Sequence, residues 1–222
     1  MDTILNMLIN KSGIFTKIIN NNNFIINYSR TLGRPLFAAY DIFPNQISQI
    51  KFGRKNFKRD YRLDYDQIYQ LDPTSKIFTG SMSRGHLCPS FMMSHDKSQN
   101  GSWASTYLMS NIIPQNKEFN CGAWHNLEMK TFHFIKKVSK HVKVVVGAAD
   151  LDYGSNSGFT SKNLNKPIIW FDEKNEFTYK IPNAMYYIVI TDYEVKCHIG
   201  FNNPNQQVYS IDLDNLLSLI YQ

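Results

Sequence analysis

Cysteine is scarce in this chain. There are 3, Cys88, Cys121 and Cys197, in 222 residues, and none forms a CxxC pair. An odd, widely spaced set does not make a disulfide framework and reads as a reduced, intracellular protein. No apolar run reaches the roughly 18 residues that a membrane-spanning helix needs, so no membrane partner is expected. No basic n-region precedes the apolar stretch between Met1 and Lys11, which argues against a secretory signal. A mitochondrial presequence fits poorly, because Asp2 is acidic and the first arginine is Arg30. Internal repeats are lacking too, and the one low-complexity patch, Asn20 to Asn23, reads as a turn.

Apolar and aromatic residues are plentiful, at 43% and 14%. That composition supports a packed core and excludes a disordered chain. The length suits a single domain, residues 1–222. Net charge is +6, from 24 Lys and Arg against 18 Asp and Glu. Lys51, Arg54, Lys55, Lys58, Arg59 and Arg62 crowd one segment with a single acid, Asp60. Lys130, Lys136, Lys137, Lys140 and Lys143 crowd a second with none. Such clusters attract phosphate backbones, although each also reads as an ordinary solvated face.

β-branched and aromatic runs on either side of the Asn20 turn predict a hairpin over 14–19 and 24–28. Further strands are expected at 36–42, 107–109, 142–146, 167–171, 184–191 and 195–201, with irregular chain over 43–82. Trp124, Leu127, Phe134, Ile135 and Val138 predict one amphipathic helix from Asn120 to about Lys140. Ser210 is the expected N-cap of a short last helix. The pattern is α+β rather than strict βαβ alternation.

One constellation carries chemistry. Ser83-Arg84-Gly85-His86-Leu87-Cys88-Pro89 is followed by Ser110-Asn111-Ile112-Ile113-Pro114-Gln115, then by Asn120, Trp124 and Glu128. An imidazole at His86 is suited to general-base work near neutral pH. In a continuous helix, Asn120 and Glu128 project from one side, two turns apart. An asparagine carbonyl is a hard oxygen ligand suited to Mg²⁺, and Glu128 is placed to hold one of the ion's waters. The bland alternatives are a hydrogen-bonded structural histidine, an N-cap asparagine and a surface glutamate.

These motifs resemble the DNA/RNA non-specific endonuclease family with the ββα-metal site. Its pattern is Asp-Arg-Gly-His, Leu-x-Pro, Ser-Asn-x-x-Pro-Gln, then an Asn, a Trp and a Leu-Glu. This chain matches at Arg84-Gly85-His86, Leu87-Cys88-Pro89, Ser110 to Gln115, Asn120, Trp124 and Leu127-Glu128. The match is densest over about residues 80–130. The resemblance implies a ββα-metal nuclease fold with a central antiparallel sheet and a long motif-bearing helix. It implies a metal-dependent endonuclease acting on DNA, RNA or both without sequence preference and leaving 5′-phosphate ends.

The resemblance also implies roles. His86 activates water. Asn120 is the direct ligand of Mg²⁺ (or Mn²⁺), and Glu128 orients a water of that ion. Asn111 braces His86 or the water shell, and Arg84 sits by the phosphate or supports its loop. An upstream arginine neutralises transition-state charge; the match is Arg54, with Lys55 and Arg59 as alternatives for that role, and Lys55, Lys58 and Arg59 as further substrate contacts. Relatives are often homodimers, but no interface is legible in these residues. Ser83 stands where the family most often has Asp, which allows a catalytically weak or inactive nucleic-acid-binding protein as the alternative. A zinc site of His86, Cys88, Cys121 and His125 is a further rival, with unconvincing ligand spacing.

Overall fold

In this computed structural model the described residues are 2–13, 15–46, 53–96, 98, 101–138, 141–151, 168–205 and 207–221. Lys51 and Lys140, and residues 14 and 167 at the starts of two expected strands, lie outside them. Helix α1 (Asp2–Lys11) precedes strands β1 (Thr16–Asn20), β2 (Phe24–Ser29) and β3 (Arg34–Ile42). Helix α2 (Tyr61–Tyr65), strand β4 (Met82–His86), helix α3 (Ser102–Ser105) and strand β5 (Ile112–Asn116) follow. A helical turn, α4 (Lys117–Phe119), then leads through a widened turn, Asn120–Trp124, into helix α5 (His125–Ile135). Next come strands β6 (Val142–Ala149), β7 (Ile168–Asp172), β8 (Phe177–Ile181), β9 (Ala184–Ile190), β10 (Val195–Phe201) and β11 (Val208–Ile211). Helix α6 (Leu213–Ile220) is the last element.

Seven strands form one antiparallel sheet in the order β1-β2-β3-β6-β9-β10-β11. Strand β6 is buried along its whole length because both faces of the sheet are covered. Its even positions, Val142, Val144, Val146 and Ala148, share a core with Leu87, Ile113, Phe119, Trp124 and Ile135 of the motif region. Its odd positions Val145 and Ala149 join Leu8 of α1 and Leu216, Leu217 and Leu219 of α6. The sheet thus separates a motif-bearing layer from a layer of two helices. This is a ββα-metal nuclease fold, with β4, β5 and α5 as its ββα unit.

Several elements differ from the sequence expectation. Residues 2–11 form a helix, with Leu8 buried under the sheet. The run Tyr107 to Met109 is not a strand: Leu108 makes one isolated bridge to Lys58, and Met109–Asn111 is a tight helical turn. Polar side chains there bond to nearby backbone and compete with ladder pairing. The expected helix over 120–140 is broken at Gly122, which has φ −100 and ψ −109, so regular helix begins only at His125. Its entry is capped not by Asn120 but by Asn116, whose side chain accepts from the Glu118 and Phe119 amides. The last helix is capped by Asp212, and Ser210 lies in β11. The β7–β8 hairpin supplies Tyr179 and Ile181 to a third cluster with Met82 and Ile112. No helix among the described residues is long and apolar enough to cross a membrane.

Candidate active site

The β4–β5 ribbon sets the frame. Its register pairs Ser83 with Gln115, Gly85 with Ile113 and His86 with Ile112. Gly85 is needed for close approach, because a Cβ there would collide with the Gln115 side chain. Asn202 ties the ribbon to the sheet. Its amide accepts from the Asn116 N–H at 2.8 Å and donates to the Pro114 carbonyl at 3.0 Å.

His86 ends β4. Its ring lies 5.4 Å from that of Phe57 and meets Tyr107 edge-on at 5.3 Å. Its Nε2 is buried and, among the described residues, has no hydrogen-bond partner. Burial, and secondarily the charge of Arg54, lower its pKa to about 4. The imidazole is therefore neutral at pH 7 and able to accept a proton, although it is a weaker base than a free histidine.

Two guanidinium groups reach the same aromatic ring. Arg54, exposed, lies 5.6 Å from the Phe57 centroid, and Arg84 lies 5.5 Å from it. Burial, then the nearby Arg54 charge, lower the pKa of Arg84. Two like charges converging with no anion between them among the described residues suit a phosphate. Arg84 also donates from Nε to the Pro73 carbonyl at 2.8 Å and covers Phe78. It supports its loop through bonds already made.

Asn111 is fully buried. It accepts from the Cys88 N–H at 2.9 Å and donates to the carbonyls of Cys88 and Thr106, each at 3.0 Å. Its side chain braces the backbone just beyond His86, and both of its N–H groups are committed there.

Asn120 lies in the widened turn before the Gly122 break and faces the ribbon. Its Nδ2 donates to the Ser83 hydroxyl at 3.0 Å, which in turn donates to the Gln115 carbonyl at 3.1 Å. Among the described residues no donor reaches the Asn120 Oδ1. A free amide oxygen suits a hard, mostly hydrated cation, and the motif also supplies a carboxylate.

That carboxylate is Glu128, 8% exposed rather than a surface charge. Burial raises its pKa, opposed by His125, whose Nδ1 lies 3.7 Å from Oε2. Its charge is also felt at Cys88, two residues beyond His86. Because Gly122 interrupts the helix, the two-turn spacing does not put Asn120 and Glu128 on one helical face.

The upstream basic residues divide. Lys55 lies over the Trp103 ring at 4.7 Å, and Lys58 is exposed while its backbone pairs with Tyr107 and Met109. Arg59 is engaged with Asp64 and with the Gln70 carbonyl, so its fork serves the fold. Asp60, fully buried, accepts from Ser110 Oγ at 2.6 Å and from Arg62 Nη2 at 2.7 Å, and it caps α2. It locks the basic segment to the Ser110-Asn111 turn. Asp60→Ala is expected to lower stability by about 3–5 kcal/mol, because Arg62 and Ser110 lose a buried partner. A denaturant melt checks this, and an unchanged midpoint would contradict it.

Phe57, Tyr107 and Trp103 were not singled out by sequence reasoning. Phe57 had a signal, an aromatic residue interleaved with the basic segment; Trp103 and Tyr107 lie far from it in sequence and had none. The zinc alternative finds no support: among the described residues no three His, Cys, Asp or Glu side chains converge as a ligand set. Cys88 is core and Cys121 is exposed.

The family described as DNA/RNA non-specific endonuclease matches residues 6–216. A zebrafish (Danio rerio) protein named "Nuclease EXOG, mitochondrial" is 27% identical over 179 residues, covering 76% of this chain and 45% of the relative. The Xenopus laevis protein of that name is 30% identical over 118 residues, covering 53% and 30%. A Nostoc nuclease is 27% identical over 108 residues, covering 48% and 37%. The chain spans less than half the length of these relatives. A crystal structure of an EndoG/EndoGI complex superposes with a TM-score of 0.61 at 14% identity, covering 97% of this chain and 89% of that one. That likeness shows the fold. With residues 6–216 matched, the chain belongs to the DNA/RNA non-specific endonuclease family.

Proposed function

We propose that residues 1–222 are a single nuclease domain, a Mg²⁺-dependent endonuclease that hydrolyses phosphodiester bonds of DNA, RNA or both without reading sequence. The observation that carries this is the His86 imidazole packed against Phe57, the ring that the Arg54 and Arg84 guanidinium groups also reach. Family membership supports the same reading.

In this reading the His86 imidazole takes the proton of an attacking water as the new P–O bond forms and the bond to the 3′ oxygen breaks. Arg54, which is exposed, meets the phosphate directly, and Arg84 adds charge from its anchored position. Asn120 Oδ1 would hold Mg²⁺ or Mn²⁺, with Glu128 as a buried acceptor for the surrounding waters. When bound, such an ion supplies a Lewis acid for phosphoryl charge and for the departing oxygen. Lys55 and Lys58 would follow the neighbouring backbone, giving contacts that carry no sequence information. Asn111 and Arg59 act through the fold.

Supercoiled plasmid and RNA incubated with purified protein and Mg²⁺ test the proposal. Nicking followed by degradation is expected, with complete arrest by EDTA. Folded protein that binds both nucleic acids and cleaves neither would establish the binding-protein alternative instead.

A further inference from the structure

We propose that Ser83 is a positioning residue that decides which atom of the Asn120 amide faces the cation. This rests on the metal reading above. The two ends of a primary amide have nearly the same shape but opposite polarity. Turned one way, Asn120 offers a carbonyl oxygen to a cation. Turned the other way, it offers N–H groups, which repel it. Something has to choose between them.

The hydrogen-bond inventory makes the choice. Ser83 Oγ lies 3.1 Å from the Gln115 carbonyl, a group that can only accept. The single hydroxyl proton is therefore committed there. The second contact of Ser83, to Asn120 at 3.0 Å, must then be donated by the amide nitrogen. Nδ2 is held against Ser83, and Oδ1 is turned away from it. Chemistry fixes this orientation, not the heavy-atom shape of the side chain.

The anchor is itself well fixed. Ser83 and Gln115 are register partners in the ribbon that carries His86 at its end. Asn116, the next residue, caps the turn that leads to Asn120. Serine suits this position because it donates and accepts at once. A carboxylate at 83 would accept from Nδ2 but would face the Gln115 carbonyl without a proton. In this chain Ser83 is thus a working part of the site rather than a weakened letter of the motif.

Mn²⁺ titration followed by electron paramagnetic resonance of the free ion tests this directly, without reference to turnover. Wild type, Ser83→Ala, Ser83→Thr and Asn120→Ala are compared after circular dichroism confirms the fold. Ser83→Ala is expected to weaken Mn²⁺ binding roughly tenfold. Ser83→Thr, which keeps the donor and the acceptor, should stay within about twofold. In cleavage assays the alanine variant should recover as Mn²⁺ is raised, with KM for DNA unchanged. If alanine disrupts the fold, Ser83→Cys keeps the shape, weakens both bonds and should show the same loss in smaller degree. Wild-type Mn²⁺ affinity in a folded Ser83→Ala or Ser83→Cys protein would overturn the proposal. Wild-type affinity in Asn120→Ala would overturn the metal assignment itself, a different failure with a different signature.

Discussion

Replacing His86 with alanine lowers the cleavage rate about 10³-fold or more, the scale expected when a general base is lost. Nucleic-acid binding persists, because Arg54, Lys55 and Lys58 are untouched. The fold persists as well, since the imidazole's neighbours are the rings of Phe57 and Tyr107 rather than a hydrogen-bond network. Single-turnover cleavage with a parallel binding measurement checks this, and retained cleavage would remove His86 from the reaction.

The pH dependence carries the same prediction further. The His86 pKa of about 4 gives kcat/KM an acid limb near pH 4 and a plateau above it. A bound phosphate favours the imidazolium, so the acid limb of kcat should lie higher than that of kcat/KM. Arg54→Ala removes a depressing charge and should move the kcat/KM limb upward. The folded pKa lies below the unfolded value of about 6.5. Between those values the unfolded chain binds the proton more readily. Stability from this group is therefore intact above about pH 6.5 and is lost as pH falls towards 4. His86→Ala should be less sensitive to acid over that window.

Asn120→Ala is the second large effect, a loss of at least about 10²-fold in metal-dependent cleavage together with loss of Mn²⁺ binding. The amide makes one bond to the fold, to Ser83, so the thermal midpoint should change little. Asn120→Asp separates the two jobs of the side chain. It keeps an oxygen for the ion but has no N–H for Ser83, so binding should survive with reduced rate. Wild-type cleavage in Asn120→Ala would show that the ion, if used, is held elsewhere.

All strands of the large sheet but β11 were legible because β-branched and aromatic runs mark buried strands, and β6 is the plainest case. The positions of His86, Asn111, Asn120 and Glu128 were legible as residue types at fixed spacing. What each side chain touches was not. Asn111 looks like a group aimed at the reaction until its amide is found satisfied by Cys88 and Thr106. Arg59 looks like a phosphate contact until Asp64 takes its fork. The break at Gly122 was hidden because a single glycine is tolerated inside a helical pattern. Helix α1 was missed because an apolar run at the chain start was read only for targeting, although Ile4, Leu5, Leu8 and Ile9 recur at helical spacing.

The break at Gly122 also has a mechanical meaning. In an unbroken helix, every tilt of the rod against the sheet would be transmitted as a lever to its first residue. Here the joint lies between Asn120 and α5, and Asn120 is fastened instead to the strand that ends in His86. In the proposed reading, the base and the amide oxygen are therefore coupled through one strand and not through α5. Catalytic pairs tolerate positional errors of only about 0.5 Å, and the Gly122 break would let α5 shift without moving either member of the pair.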